Sequence, residues 1–444
     1  MTASARAFAA LLLAGAFTSS TLGALTFACS SGDGAPAAPS DAAGPIDAGP
    51  LDVALADADA DAPPLVAPTP TFPTVKNRGG AVIAAPKVVA ITFADDPMAH
   101  AIADFTSKIS ASTYWATLGQ EYGVGALTPR APFVAAENAP TTTNVGAIES
   151  WLSGQLSGST PALGAPDPET LYAVYYPATT TIVPSTVTSE AGNGCKGTGP
   201  YHAEMNVGGV QVGYVVLPRC GTFDDLTVSA SHEYFEWATN PFPSTKPAFA
   251  KLDEAHWAWQ AAFNGELGDL CPYLDNARLR VRESGFLVET MWSNAASVAG
   301  KFPCAPSSGA PYVQAIAAAD DTAKVPSLLP NVPDVTTNAI RIAAGGSRTV
   351  AVLVYSDQPS NDVVSLHALT FQELTTGMTG GAEATGYAYS LEPSTAHVGD
   401  VVALTIHAPS SKRFDLLVMG AQTNGGSINY WPVLVVNEAA PPAP

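Results

Sequence analysis

The residues best suited to chemistry lie in one short stretch, Ser231-His232-Glu233-Tyr234-Phe235-Glu236. Residues four apart share one face of a helix, so His232 and Glu236 can point at a common atom. Glu233 lies about 100° round the same helix, close enough to reach a ligand held by the other two. Imidazole and carboxylate groups both bind zinc, and a second carboxylate can take a proton from metal-bound water. The stretch therefore predicts a metal site with His232 and Glu236 as ligands and Glu233 as the general base.

The flanking residues predict the helix that this spacing requires. Thr222 can cap its start, and Asp225 follows three residues later in a capping-box arrangement. The pair Asn240-Pro241 ends it, because proline cannot continue a helix. An apolar run, Val210 to Leu217, predicts a strand just before the helix.

A catalytic zinc site needs at least one more protein ligand, and four residues are candidates. Glu266 and Asp269 lie in a glycine-rich turn, Asn264 to Cys271, and are the preferred pair. His202 is the next candidate and His256 the last. Zn²⁺ is the expected ion, although two carboxylates around one histidine would also suit Ca²⁺ or Mn²⁺.

Charge and composition narrow the class of protein. The 444 residues include 19 Lys+Arg and 39 Asp+Glu, a net charge of −20, and such a chain does not neutralise a phosphate backbone. Nucleic-acid binding is therefore excluded. Only 13% of the residues are charged, and 38 Gly and 38 Pro interrupt the chain. This composition is typical of an exported protein rich in loops and strands.

The N-terminus predicts export. Residues 1–28 have a basic start, an apolar stretch and a small-residue region, which are the parts of a signal peptide. The sequence around Cys29 resembles a bacterial lipoprotein box, which would make Cys29 the lipidated first residue of an outer-membrane lipoprotein. The alternative is ordinary secretion with Cys29 removed. Residues 29–71 are rich in Ala, Pro and Asp, and predict a disordered tether that contacts a membrane only through the lipid.

Four further cysteines predict disulfides in an oxidising compartment: Cys195, Cys220, Cys271 and Cys304. Three pairings are open. Cys195–Cys220 with Cys271–Cys304 is preferred because each bond closes a local loop. A tetrathiolate zinc site is disfavoured because no two of these cysteines have the close spacing that such sites use.

The order of strand and helix signals predicts the fold. Residues 72–310 alternate between the two and predict an α+β domain, α/β-like, with a mixed sheet and an active-site helix. Residues 311–336 are expected to form a linker. Residues 337–444 contain short strands separated by turns, which predicts an all-β sandwich of immunoglobulin-like type.

The motif also resembles known families. Ser231 to Pro241 reads Ser-His-Glu-x-x-Glu-x-x-Thr-Asn-Pro and is similar to a signature of exported bacterial proteins. Flanking segments match the same group over about residues 75 to 305: Gly79-Gly80, Tyr114-Trp115, Glu121 to Gly125, Cys195 with Tyr201-His202, Gly265 to Cys271, and Trp292-Ser293-Asn294. More distantly, the motif resembles the Exordium (phosphate-induced protein) family of secreted plant proteins. The resemblance implies an extracytoplasmic zincin-like domain, although Glu236 replaces the second histidine of the His-Glu-x-x-His zinc peptidases.

These features predict an exported metallopeptidase-like protein that hydrolyses a peptide or protein substrate with metal-bound water. The alternative is a non-catalytic surface protein that binds a cell-surface partner, with the same residues in a structural metal site or polar core. A third hypothesis is a wall-associated protein that binds carbohydrate through exposed Trp257 and Trp259.

Overall fold

The structure, a computed structural model, describes residues 65–183, 199–328, 332–374, 386–411, 414–423 and 425–438. The predicted signal peptide, Cys29 and the tether up to residue 64 lie outside these ranges, so the prediction of a lipid-anchored protein stays a prediction. Within the described ranges, no helix is both long and apolar enough to cross a membrane. The helices are α1 (Ala99–Ser110), α2 (Thr113–Tyr122), α3 (Val145–Gln155), α4 (Phe223–Thr239), α5 (Trp257–Phe263) and α6 (Asn294–Val298).

Strands make up most of the regular structure. Those of the first part are β1 (Val75–Asn77), β2 (Lys87–Thr92), β3 (Thr128–Pro129), β4 (Phe133–Val134), β5 (Thr142–Asn144), β6 (Thr170–Tyr176), β7 (Thr181–Val183), β8 (Tyr201–Val207), β9 (Val210–Pro218), β10 (Phe249–Leu252), β11 (Arg278–Arg280), β12 (Leu287–Glu289), β13 (Met291–Trp292) and β14 (Cys304–Ala305). Those of the second part are β15 (Val313–Ala317), β16 (Asp321–Val325), β17 (Val335–Ala343), β18 (Ser347–Ser356), β19 (Val363–Thr370), β20 (Ala388–Glu392), β21 (Thr395–His397), β22 (Val401–His407), β23 (Phe414–Thr423) and β24 (Asn429–Glu438).

A central sheet supports the helix with the His-Glu-x-x-Glu motif. Its strands run in the order β3-β2-β6-β9-β8, and β4 also pairs with β2. Strands β2, β6 and β9 are parallel, and their apolar runs are buried, as expected for strands covered on both faces. The edge strand β8 comes just before β9 in the chain and pairs with it in antiparallel orientation. The helix α4 follows β9 directly and packs on β8, β9 and β12, so three separate segments surround its face.

The second part consists of two larger sheets. One has the order β15-β18-β22-β20, and the other has the order β16-β17-β24-β23-β19-β21. The segment predicted as a linker, residues 311–336, contains β15 and β16. One hydrophobic cluster runs from Val75 to Val435, and the ring of Trp259 lies 5.1 Å from that of Trp431. The two parts of the chain are therefore joined by a shared apolar core.

The predicted fold class is wrong. The structure is mostly β, with 37% strand against 21% helix, and its many sheets curl into a half-barrel. It does not show the predicted zincin-like α+β sheet followed by an immunoglobulin-like sandwich. The physical reason is that very short segments far apart in the sequence, such as β1 and β10, pair with each other as strands. Their local sequence patterns are too short to be recognised as strands.

Candidate metal centre

The helix α4 carries three of the candidate residues, and its two ends are fixed as the sequence predicts. The hydroxyl of Thr222 accepts the Asp225 N–H at 3.2 Å, while the Asp225 carboxylate accepts the Thr222 N–H at 2.9 Å. This reciprocal pair satisfies two backbone donors that a helix start leaves open. At the other end, the side chain of Asn240 accepts the Ala248 N–H at 2.7 Å. The contacts at both ends therefore fix how the helix is rotated, and with it the directions in which His232, Glu233 and Glu236 point.

The last two and a half turns of α4 are enclosed by protein. Every residue from Ala230 to Thr239 is buried except His232, whose side chain is 13% exposed. The side chains of Glu233 and Glu236 are 5% and 3% exposed. Carboxylates are rarely buried so fully unless they are paired or coordinate a metal. The partners of these two carboxylates therefore decide what the site can do.

His232 forms the centre of one group of ligand atoms. Its Nε2 lies 3.2 Å from Glu236 Oε2 and 3.8 Å from Asp269 Oδ1. The three ligand atoms all lie within 4.8 Å of one another. Two ligands bound at about 2.0–2.2 Å to one tetrahedral ion are about 3.3–3.6 Å apart, so these separations need only small adjustments. The Nδ1 of His232 faces away from the group and lies 3.2 Å from Glu289 Oε1. A carboxylate on the second nitrogen orients metal-binding histidines in the same way.

His202 lies on the other side of Glu236 and defines a second group. It stands in β8, and its Nδ1 lies 3.3 Å from Glu233 Oε2 and 3.4 Å from Glu236 Oε2. Its Nε2 lies 3.3 Å from Glu266 Oε1. The ligand atoms of His202, Glu236 and Glu266 again lie within 4.8 Å of one another. Glu236 therefore belongs to both groups.

The loop from Asn264 to Leu270 brings the last two carboxylates to the helix. Asn264 has a positive φ of 69°, and its amide donates to the carboxylate of Asp269. The amide of Asn240 donates to Glu266 Oε1 at 2.6 Å. Gly268 donates its N–H to Glu236 Oε1 at 3.1 Å, which leaves Oε2 facing the histidines. A Cβ on Gly268 would lie 2.7 Å from the His232 ring, so only glycine allows this approach.

The electrostatics of the centre are those of a carboxylate-rich site. Burial alone would raise the pKa of Glu236, but His232 and His202 hold that pKa far below its usual range. Burial alone would lower the pKa of both histidines, yet the surrounding carboxylates raise both well above the usual range. Burial, followed by the charges of Glu236 and Glu266, raises the pKa of Asp269. Metal binding requires unprotonated histidine nitrogens, so any proton on these rings would be released when a metal binds.

The structure brings together most of the residues named from the sequence. His232, Glu233, Glu236, Glu266 and Asp269 share one centre, and His202 joins them although it ranked below the two carboxylates. The alternatives Glu266 and Asp269 fall in different groups.

His256 lies elsewhere, with its Nδ1 2.7 Å from Asp253 Oδ1 and its Nε2 2.9 Å from the Thr71 carbonyl oxygen. The neighbouring tryptophans are not exposed as predicted. Trp257 is 8% and Trp259 1% exposed, because both pack in the shared core, and this removes the basis of the carbohydrate hypothesis.

Glu289 was not named from the sequence. It ends β12, which pairs with β11, and its backbone N–H donates to Ser231 Oγ at 2.9 Å. The one available signal was an acidic residue inside the apolar run Leu287 to Trp292, since a buried charge needs a partner.

One of the preferred disulfides is confirmed. Cys271 and Cys304 are bonded, and Cys271 directly follows the loop with Glu266 and Asp269. Cys220 is also disulfide-bonded, but Cys195 lies outside the described residues, so the Cys195–Cys220 pairing stays a prediction.

Comparisons with known proteins give no family. No family model matches the chain, and no curated protein matches it. Among solved structures, domains 4 and 5 of the S-layer protein SbsC are 8% identical, with a TM-score of 0.17 over 37% of this chain and 66% of that chain. The chain covers 18% of a longer SbsC structure.

Two other solved structures match as weakly. A PapD-like domain of human CEP192 is 10% identical, with a TM-score of 0.17 over 23% of this chain and 84% of that chain. A nucleoside hydrolase-related hypothetical protein from Saccharophagus degradans, associated with carbohydrate metabolism, is 10% identical, with a TM-score of 0.24 over 80% of this chain and all of that chain. Similarities this weak support no inference about function.

Proposed function

We propose that the protein is an exported, lipid-anchored, metal-dependent hydrolase that cleaves peptide bonds, with Zn²⁺ at His232, Glu236 and Asp269. The observation that carries the proposal is the position of the His232 ring, whose Nε2 faces Glu236 and Asp269 while Glu289 faces Nδ1. A protonated histidine among buried acids would also have an acceptor on each side, so the feature that points to a metal is the third ligand atom, Asp269 Oδ1, which lies within 4.8 Å of the other two. In a metal site, Glu289 would select the tautomer that leaves Nε2 unprotonated and free to bind the ion.

The proposed reaction, hydrolysis, follows from the chemistry that a bound zinc ion and the side chains around it could provide. A zinc ion in such a site polarises a carbonyl group and lowers the pKa of bound water. Glu233 would be the base that accepts the proton, since its carboxylate is buried one helix turn from Glu236, where it faces the imidazole of His202 at 3.3 Å. Asp269, at 25% exposure, is the most open of the three ligands.

The proposed location of the protein follows from features outside the metal centre. The predicted signal peptide and lipidated Cys29 would locate the centre outside the cytoplasm, where Cys271–Cys304 is stable. A peptide or protein chain is the substrate class that fits this location and the resemblance of the motif to zinc-peptidase helices.

The test compares wild type with Glu233→Gln in metal content and in cleavage of an unstructured protein such as casein. We expect both proteins to bind zinc and only the wild type to cleave, with a loss of at least about 100-fold in the variant. Absence of bound zinc in the wild type contradicts the metal site. Unchanged cleavage by the variant contradicts the role of Glu233.

The burial of the centre favours a second candidate function. His202 is 1% and Glu233 4% exposed, which is also what a structural metal site inside a non-catalytic surface protein would show. In that case the metal stabilises the fold, and the cell-surface partner binds elsewhere. Stoichiometric metal without cleavage in wild type would identify this function.

A further inference from the structure

We infer that the Cys271–Cys304 disulfide is coupled to the metal site: the bond holds Asp269 in position for the ion, so the ion binds tightly only after the bond has formed. This inference rests on the proposed metal site at His232 and adds its regulation by oxidation. The sulfur atoms are not ligands. Their effect on the ion passes through the turn that carries Asp269.

The turn around Asp269 is attached at both ends to one pair of strands. On one side, the Trp292 N–H donates to the Leu267 carbonyl oxygen at 2.9 Å. On the other side, Cys271 is bonded to Cys304. Trp292 and Cys304 lie directly opposite each other in the pair β13 and β14. Asp269 lies two residues from each attachment, so the same strand pair fixes the turn from both sides.

The turn closes on Cys271. The backbone N–H of Cys271 donates to the Gly268 carbonyl oxygen at 3.3 Å, and Cys271 is 0% exposed. The side chain of Asp269 is 25% exposed, and from this turn its Oδ1 lies 3.8 Å from His232 Nε2. A fully buried cysteine at the end of the turn therefore fixes the backbone that directs a more open carboxylate toward the helix.

The other two ligands are held independently of the bond. His232 and Glu236 lie on α4, whose capping box is formed by Thr222 and Asp225. Loss of the disulfide therefore changes mainly the position of Asp269. When only a fraction of the chains has the binding arrangement, the apparent affinity falls by that fraction. A turn that is correctly arranged in about one chain in ten binds the ion about tenfold more weakly.

Coupling of this kind is reciprocal. If the bond raises the affinity for Zn²⁺ about tenfold, bound Zn²⁺ favours the bond over the two thiols by the same factor, which is about 30 mV for a two-electron couple. Cytoplasmic thiols keep cysteines reduced, whereas disulfides form in exported proteins. In an exported protein the site is therefore completed, and binds metal tightly, only outside the cytoplasm.

The first experiment measures the Zn²⁺ affinity of the full-length protein by competition with a chromophoric chelator. Wild type is compared with the double variant Cys271→Ser, Cys304→Ser, which cannot form the bond. We expect the double variant to bind Zn²⁺ at least about tenfold more weakly. Equal affinity in the two proteins overturns the inference and leaves the proposed function standing, whereas absence of Zn²⁺ binding by wild type overturns both.

The matched control is Tyr389→Phe. It removes a hydrogen bond of 2.6 Å to the buried Asp415 in the second part of the chain, and neither residue belongs to α4 or to the loop after α5. This variant should be less stable than wild type and bind Zn²⁺ equally well. An equal loss of affinity in the control and the double variant overturns the inference, because general destabilisation would then explain both.

A second measurement needs no cysteine substitution, in case the double variant does not fold. Wild type is equilibrated in a glutathione buffer with and without Zn²⁺, and alkylation with peptide mass spectrometry then reports Cys271 and Cys304 separately from the other cysteines. Two glutathione thiols give two electrons and two protons to the bond, which becomes two cysteine thiols, and are oxidised to one glutathione disulfide.

We expect Zn²⁺ to shift this equilibrium about tenfold toward the bond in wild type, and to have little effect in Asp269→Asn. No shift in wild type overturns the inference, as does a shift toward the thiols, which would mean that the thiols bind the ion. An equal shift in Asp269→Asn overturns it too, because the coupling would then not pass through Asp269.

Discussion

Gly268 provides a sharp test of how the loop and helix hold the centre, through the substitution Gly268→Ala. The added Cβ would lie 2.7 Å from His232 Nδ1 and 2.8 Å from Glu236 Oε1. Moving the nearer atom from 2.7 Å to the 3.4 Å of ordinary contact takes about 0.7 Å. Either the helix side chains move, or the loop with Glu266 and Asp269 moves. In both cases at least one ligand leaves its position.

The size of the effect follows from that displacement. Metal–ligand distances tolerate about 0.2 Å, so a shift of about 0.7 Å breaks or lengthens at least one bond. We expect zinc affinity to fall about 10–100-fold, which corresponds to about 1.4–2.7 kcal/mol. The metal-free protein should lose about 1–3 kcal/mol of unfolding free energy through overpacking.

The assay is a competition titration of Zn²⁺ against a chromophoric chelator, together with urea unfolding of the metal-free proteins. The matched control is Gly154→Ala, because no atom lies within 4 Å of an added Cβ at that position in α3. The control should bind zinc like wild type. A folded Gly268→Ala protein with wild-type zinc affinity would refute the reasoning, since the loop would then not be in contact with the ligands.

Three further predictions follow from other contacts. Glu289→Gln removes the charge beside His232 Nδ1 and should weaken zinc binding about tenfold, measured by the same titration. Replacing Cys271 and Cys304 by serine opens a disulfide with a sequence separation of 33 residues, and should lower the free energy of unfolding in urea by about 3–4 kcal/mol. Arg219→Met leaves the carboxylate of Asp96, at 0% exposure, without its ion-pair partner at 2.6 Å, and should cost about 3–5 kcal/mol in urea unfolding.

Each of these predictions has a contradicting outcome, and the two single substitutions also have matched controls. Glu283→Gln removes an exposed carboxylate near α2 and should leave zinc affinity unchanged, so an equal loss in both glutamine variants would contradict the role of Glu289. Arg280→Met breaks an exposed pair with Asp224 and should change stability little, so an Arg219→Met protein no less stable than this control would contradict the buried pair. Unchanged unfolding of the double serine variant would show that the disulfide adds nothing.

Local signals predicted the helix of the centre well. Thr222, Asp225 and Asn240 act within a few residues of their partners, and the structure has α4 at Phe223–Thr239 with the capping box formed. The apolar runs at Val88 to Phe93 and Leu171 to Tyr176 are strands β2 and β6. In each case the deciding interaction or burial pattern is readable within one segment.

Long-range contacts explain what the sequence could not predict. His202 reaches Glu236 because β8 pairs with β9, and Glu289 reaches His232 across 57 positions of the chain. The turn Gly208-Gly209 between β8 and β9 is a local hairpin signal, and Glu289 interrupts an apolar run, but neither signal shows that the side chain lies against α4. The fold class was wrong for the same reason, since β17 pairs with β24 in parallel across almost one hundred residues. The residue types of the centre were therefore predictable, but their number and grouping were not.

The most direct test of the central claim, that α4 and the loop after α5 hold a metal ion, is anomalous diffraction. Crystals of the protein grown with Zn²⁺ would be measured on both sides of the zinc absorption edge. The account predicts an anomalous peak about 2.0–2.2 Å from His232 Nε2, with Glu236 and Asp269 bound to the same ion. A well-ordered His232 and Glu236 without any peak between them would contradict the account.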